Sequence, residues 1–536
     1  MWINRYALGG DGLSYLDVGA AFFRRDWAQA FNGYWSPLYA WCEGLALGLI
    51  KPSLWWEPIT IHAVNFVLYL LSLFAFRFFL HSLLRTLRGE SEKSGSEAVP
   101  LSEWVLTGLG YCIFLWATIV LIDSSVITPD AMVAMFLFLM GGYLVELRRG
   151  ESFRKFALFG LLCGAGYWSN AVIFPVSFGL LAILLFSGRI TRLRVTGVLL
   201  AGVTFLAVSA PLITALSKQK GRLTFGDSGK LNYAFMVNPG IPMKNWQGEQ
   251  PGGGTPKHKT RQVLDHPPTF EFAQPIGGTY PPWFDPSYWN DGAHGSWRLR
   301  SQIRVLVQSA RNYSKMLLEQ LGLLAGIAIF ILWGGAATRK AIVSNWPLIA
   351  AGMISIGLYS LVLVRSRYIA GSFVLVFMGI LAGIRLPREE QRLRVMKYIT
   401  AGVMASILFS VLGCLTEAGY VSNTVYDYPT DKDHVRVAED LRGLGFGAGE
   451  KVAVIGDGDH EYWALLGKFK IVAEVYAADP EKLVFWGEPW QRRKMAYECF
   501  RRAGAKIAVV WSPPENMDAG WERIGNTNYY MRDLTQ

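Results

Sequence analysis

The segment Pro58-Ile-Thr-Ile-His-Ala-Val-Asn-Phe-Val-Leu-Tyr-Leu-Leu-Ser-Leu-Phe-Ala-Phe-Arg-Phe-Phe-Leu-His-Ser-Leu83 decides how the rest of the chain is read. It exceeds the ~20 mainly apolar residues that a helix needs to cross a bilayer. Similar stretches begin near Ser102, Thr128, Lys155, Ala171, Val195, Lys315, Trp346, Arg367 and Tyr398, which makes about ten spans in all. Composition agrees. A chain of 536 residues that is 52% hydrophobic and 17% charged is too apolar for a soluble protein of that length. The net charge of +11 does not indicate nucleic acid, because Lys and Arg gather in short runs between apolar segments, as in cytoplasmic loops. No nucleic-acid partner is expected; membrane lipids are.

Those runs set an orientation. Arg85 and Arg88, Arg148 and Arg149, Arg189, Arg192 and Arg194, Arg339 and Lys340, and Arg385 to Lys397 alternate as inner loops. The amino-terminal stretch, the Asp123 to Pro129 link, the loop from Ser217 to about Asn312, the Arg365-Ser366-Arg367 turn and the tail after Gly419 then face outside. Lys155 to Tyr167 and Ala171 to Phe186 are short for two crossings and could form one kinked segment, although the flanking arginines favour two. Pro37 to Ile50 is apolar but short, which suits a helix lying along the interface. Met1 to Gly10 lack the apolar core of a signal peptide, so an exterior amino end leads us to expect a further span upstream.

The expected architecture is a polytopic α-helical membrane protein with a large exterior loop and a small C-terminal α/β domain. Its divisions are 1–57 (exterior first loop with an interfacial helix), 58–216 (membrane helices), 217–314 (exterior loop), 315–419 (membrane helices) and 420–536 (exterior α/β domain). In the tail, helices are expected at Val435 to Leu444, Tyr462 to Phe469 and Trp490 to Ala503. Strands are expected at Lys451 to Ile455, Ile471 to Val475 and Lys506 to Trp511.

Chemistry concentrates at the outer ends of the spans. Asp11 stands among Gly9, Gly10 and Gly12, where a flexible backbone can hold a carboxylate against a ligand. Tyr15, Asp17, Tyr34 and Trp35 follow in the same first loop. Thr128-Pro129-Asp130 opens a span with ordinary helix-start residues, yet a carboxylate at a membrane helix mouth is costly unless used. Arg365 and Arg367, with Tyr368, and the cluster Lys218, Lys220 and Arg222 place cations on the outer side, where Arg offers a bidentate fork for phosphate. The Trp and Tyr of the large loop suit either sugar stacking or an interfacial belt.

Other signals are weaker. Gly456-Asp457-Gly458-Asp459-His460-Glu461 has the outline of a dinucleotide fingerprint but carries Glu461 in place of the third glycine. Gly226-Asp227-Ser228-Gly229 reads as a turn. The cysteines at 42, 112, 163, 414 and 499 have no metal-ligand spacing.

Taken together, Asp11-Gly12-Leu13-Ser14-Tyr15, Trp35-Ser36-Pro37-Leu38-Tyr39, Thr128-Pro129-Asp130, the glycine-rich Gly160 to Asn170 span and Arg367-Tyr368 resemble the GT-C superfamily of integral-membrane glycosyltransferases. The likeness is to the branch with protein mannosyltransferases and the aminoarabinose transferase, and it covers about Asp11 to Tyr420. It implies transfer of a sugar from a polyprenyl-phosphate donor to an unidentified acceptor at the outer face of a bacterial inner membrane, with inversion. Asp11 would match the general base, Asp130 the second-loop acid and Arg367 a basic group near the donor phosphate. A divalent metal is a candidate cofactor, with no ligand set assigned. Many members carry lysine where Asn170 stands. A transporter or flippase would put its charges midway along spans, and a scaffold would not need Asp11.

Overall fold

The computed structural model describes all residues except 1, 3, 94–97, 124, 239, 249–252, 273–276, 388–389, 425–430, 477–481, 516 and 536. Each of the ten expected span positions carries a helix. Six helices are long and apolar enough to cross a membrane: Leu54–Gly89, Glu103–Leu121, Asp130–Arg149, Arg192–Lys220, Leu321–Ser344 and Arg394–Thr416. Pro37–Ile50, Ile173–Phe186, Trp346–Ser360 and Ser366–Ala382 are shorter and also apolar. The protein is thus a multi-pass membrane protein.

Close helix contacts fix the directions. On the Phe153–Ser169 helix, Gly160 and Gly164 admit the Arg192–Lys220 helix so closely that a Cβ at Gly160 would lie 2.1 Å from the Ala201 carbonyl oxygen. Phe156 meets Gly197 and Gly164 meets Val208, so these two helices run parallel. Ile173–Phe186 must therefore return between them, and the short pair is two helices rather than one kinked segment. At one end of the bundle lie the Arg194–Glu151 pair at 2.5 Å and the Arg88–Glu103 pair. The other end carries Asp11, Asp130, Arg367 and the tail.

Two features depart from the sequence reading. The first is that Leu299–Leu318 is a helix of its own, separated from the Leu321–Ser344 span, although its first part lies in the expected loop and its end overlaps the span expected from Lys315. Its arginines gave it the composition of a loop. The second is that the large loop and the tail share one seven-stranded sheet, ordered Arg261–Leu264, Thr269–Glu271, Lys470–Tyr476, Lys451–Gly456, Ile507–Trp511, Tyr529–Asp533 and Trp521–Arg523. The three strands expected in the tail form its parallel centre, with Val454 paired to Glu474 and Val509. The loop hairpin joins through Phe270 opposite Glu474, so loop and tail form one roof over the helices.

Candidate active site

Asp11 sits in the first turn of the Gly10–Phe23 helix rather than in an open loop. Gly9 precedes it with φ 72°, a left-handed conformation that glycine adopts at little cost. Gly12 lets this helix press on the 123–129 link, because a Cβ there would lie 2.9 Å from Ile127 Cβ. That link leads into Asp130, the first residue of its own helix. Arg367 is in the opening turn of Ser366–Ala382. Three helix starts therefore converge, each with its partial positive end toward the same place.

Arg367 joins the two carboxylates. Its Nη2 donates to Asp11 Oδ2 at 2.5 Å, and its Nε lies 3.5 Å from Asp130 Oδ2. Asp130 is buried, while the side chains of Asp11 and Arg367 keep 27% and 22% of their exposure, so the pair can be reached. Tyr368 adds its ring 5.2 Å from the Arg367 guanidinium.

These groups line a cavity of about 1230 Å³. Tyr15, Tyr34, Trp35, Arg222, Arg365 and Tyr368 line it too. Tyr15 packs edge-on against Trp35 at 5.0 Å, and burial, reinforced by Asp11 and Asp130, keeps its phenol well above the ordinary pKa and neutral. Trp35 donates to the Trp283 carbonyl at 2.9 Å, and Tyr34 to Asn232 at 3.0 Å. Arg222 is held by Asp227 at 2.5 Å. Arg365 and Lys230 face the cavity without an ion pair among the described residues. Apolar side chains line the cavity as well, among them Val120, Leu121, Ile122, Val126, Pro175 and Phe225.

Three expected residues lie elsewhere. Asp17 is turned about 120° around the helix from Asp11, and there accepts from the Thr279 amide at 2.6 Å and hydroxyl at 3.1 Å, tying the large loop down. Burial raises its pKa, against the pull of Lys470 and Thr279. Lys220 donates to Ser287 at 2.6 Å and pairs with Asp285 at 3.6 Å, also holding the loop. Lys218 is exposed and does not line the cavity. Of the loop aromatics, Trp283 reaches the cavity, whereas Tyr280 and Trp289 are buried in the core. Asn170 lines the cavity and spends its side-chain oxygen on the Val172 amide at 3.0 Å.

The sequence reading missed the roof. Lys244, from the large loop, lies 2.5 Å from Asp457 and 3.0 Å from Asp459, and both Lys244 and Asp459 line the cavity. Burial and the neighbouring Asp459 push Asp457 up to about 6. On Asp459 burial acts upward, but the His460 hydrogen bond and the Lys244 ammonium outweigh it and hold the group below the usual range. Beneath them Glu474, raised by burial to about 7, accepts from Asn245 at 2.6 Å and Tyr280 at 2.8 Å. The signal was present: Gly456-Asp457-Gly458-Asp459 follows a parallel strand at its carboxyl end, where open α/β sheets gather ligands.

Asp457, Asp459 and His460 offer ligand atoms within 4.8 Å of one another. The Lys244 ammonium already occupies the space between the two carboxylates, as the Arg367 guanidinium does between Asp11 and Asp130. Lys244 takes Asp457 Oδ1 and Asp459 Oδ2, which leaves Asp457 Oδ2, Asp459 Oδ1 and His460 Nδ1 as the atoms that would hold an ion there.

No protein family matches the chain by profile, and no curated protein matches it by sequence. By structure it is similar to ArnT from Cupriavidus metallidurans in the apo state, with TM-score 0.54, 10% identity, and 97% of this chain and 92% of that one covered. The same protein bound to undecaprenyl phosphate gives TM-score 0.55 and 10% identity over 99% of this chain and 95% of that one. The chain therefore has the ArnT fold over nearly its whole length, and this is the fold that the GT-C resemblance implies.

Proposed function

We propose that the chain is a glycosyltransferase that moves a sugar from a polyprenyl-phosphate donor to an acceptor hydroxyl, with inversion. Its site faces the exterior of a bacterial inner membrane. The observation that carries this reading is the Asp11–Arg367–Asp130 bridge at a cavity lined by both charged and apolar side chains. The apolar lining suits a polyprenyl chain, and a neighbour of the same fold holds undecaprenyl phosphate. The basic loops lie at the end of the bundle opposite the site, and the positive-inside rule supports an exterior site on that ground.

In this reading the acceptor oxygen forms its bond to the anomeric carbon from the face opposite the departing phosphate. The carbon–oxygen bond to phosphate breaks, and its electron pair leaves with the lipid phosphate. Asp11 takes the acceptor proton. Arg367 fixes Asp11 through Oδ2 and leaves Oδ1 for that proton, a contribution of ~100- to 10,000-fold. Arg365, Arg222 and Lys230 are placed to receive the phosphate, whose growing charge also meets three helix starts. Arg367, released from one carboxylate, can join them.

The test is transfer itself. Purified protein in nanodiscs is given radiolabelled polyprenyl-phosphate sugars together with a membrane lipid extract. The expected result is label leaving the donor and appearing in an acceptor with the opposite anomeric configuration. Label that crosses the bilayer while still attached to its donor would identify a flippase instead. Label that neither moves nor binds would remove the enzymatic reading.

A further inference from the structure

The Leu299–Leu318 helix is packed inside out. Its buried residues are Ser301, Gln302 and Ser309, while Leu299, Ile303, Leu306 and Val307 are 40% to 58% exposed. The buried polar side is accounted for: Gln302 donates to the Leu361 carbonyl at 2.9 Å, Ser309 to Ser360 at 3.0 Å, Asn312 to Val364 at 3.3 Å, and Tyr313 to Ile356 at 2.8 Å. These acceptors lie in the last turn of the Trp346–Ser360 helix and the connector after it, where helix carbonyls run out of amide partners, although Ile356 also accepts from Ser360 of its own helix. Gln302 and Tyr313 lie about 16 Å apart along their helix, yet all four contacts fall within 356–364. The helix therefore crosses the outer end of the bundle instead of running down it.

Its free side has two stripes. At about 100° per residue, the exposed Leu, Ile and Val form one face, and Arg300, Arg304, Arg311 and Lys315 fall together along one edge of it. All four cations are exposed and make no ion pair among the described residues. No acidic residue lies between Trp297 and Leu318. An apolar face edged by one row of cations, lying across the mouth of a membrane bundle, has the form of a helix seated at a bilayer surface. The arginine stems can cover apolar surface while their heads stay at phosphate level.

We infer that this helix is an anionic-phospholipid docking surface, with the headgroup phosphates taken along Arg300, Arg304, Arg311 and Lys315. The polar side grips the connector that leads to Arg365 and Arg367, so the seated lipid also steadies the wall of the cavity. This inference does not depend on glycosyl transfer.

The full chain is purified in mild detergent with equal phosphatidylglycerol and phosphatidylcholine, and the retained lipids are counted by mass spectrometry. Each cation near an anionic surface favours binding by roughly fivefold. The wild type is expected to retain phosphatidylglycerol in clear excess, and R300Q/R304Q/R311Q/K315Q to lose most of that excess. The charge-keeping variant R300K/R304K/R311K should retain it, as should a control with Lys451, Lys494, Arg501 and Arg502 changed to Gln on the tail. Undiminished enrichment in the four-Gln variant overturns the inference. So does a dimer in the wild type that becomes a monomer in I303S/L306S/V307S, since that result gives the face to a second copy of the chain.

Discussion

Among the described residues two carboxylate pairs at the cavity each hold a cation between their members, and they are built differently. Asp11 and Asp130 come from separate helix starts and share Arg367, with 27% of Asp11 and 22% of Arg367 exposed. Asp457 and Asp459 come from a single loop and share Lys244, which is only 12% exposed and is backed by Glu474, Asn245 and Tyr280. The first arrangement can exchange a partner for a ligand. The second has its contacts filled from behind and holds the roof in place. Both reach the same cavity, and they differ in how far their contacts are already filled.

Arg367→Ala strikes the open pair. Its charge-assisted bonds are the strong kind, and donor affinity should fall by roughly 100-fold, read by titrating donor onto purified protein; an unchanged affinity breaks the comparison. Lys244→Ala strikes the closed pair and leaves two carboxylates facing each other. Stability should drop on the order of 3 kcal/mol, read as a lower unfolding temperature, while donor affinity changes far less than in Arg367→Ala. Equal losses of affinity in the two variants would erase the distinction.

Glu474 gives a finer test. Its folded-state pKa of about 7 lies above the ordinary 4.5, so between those values the folded chain keeps a proton that the unfolded chain has released. Its contribution is complete below the ordinary value and is lost as pH rises through about 7. The loss is on the order of 3 kcal/mol. Thermal unfolding of the wild type should weaken from pH 5 to pH 8, and Glu474→Gln should flatten that slope. A steeper slope in the variant contradicts the assignment. The smallest effect belongs to Lys218→Ala, whose side chain lies off the cavity; turnover should stay within about twofold, like other exposed surface changes.

The open pair was far more legible in the sequence than the closed one. Asp130 and Arg367 announce themselves at the mouth of an apolar segment, where a charge is costly enough to stand out, and Asp11 by the glycines around it. The ten helix stations follow from hydropathy, and the central strands of the tail from their unbroken apolar runs. Lys244 gives no such signal, because its partners lie more than two hundred residues away and become neighbours only when the loop hairpin joins the tail sheet. The strands Arg261–Leu264 and Thr269–Glu271 are too short to carry a period, and their pairing is long-range. Asp17 misled by proximity: it shares a helix with Asp11 but faces the large loop.

The account rests on Asp11 acting as a base on a bound acceptor, so Asp11→Asn tests it most directly when donor binding and turnover are measured on the same preparation. Asparagine keeps the shape and an oxygen for Arg367 but cannot take the proton. Donor affinity should remain within about twofold, because a neutral isostere leaves Arg367 available to phosphate, while turnover falls at least ~100-fold. Turnover near the wild-type rate with the donor still bound would contradict the account.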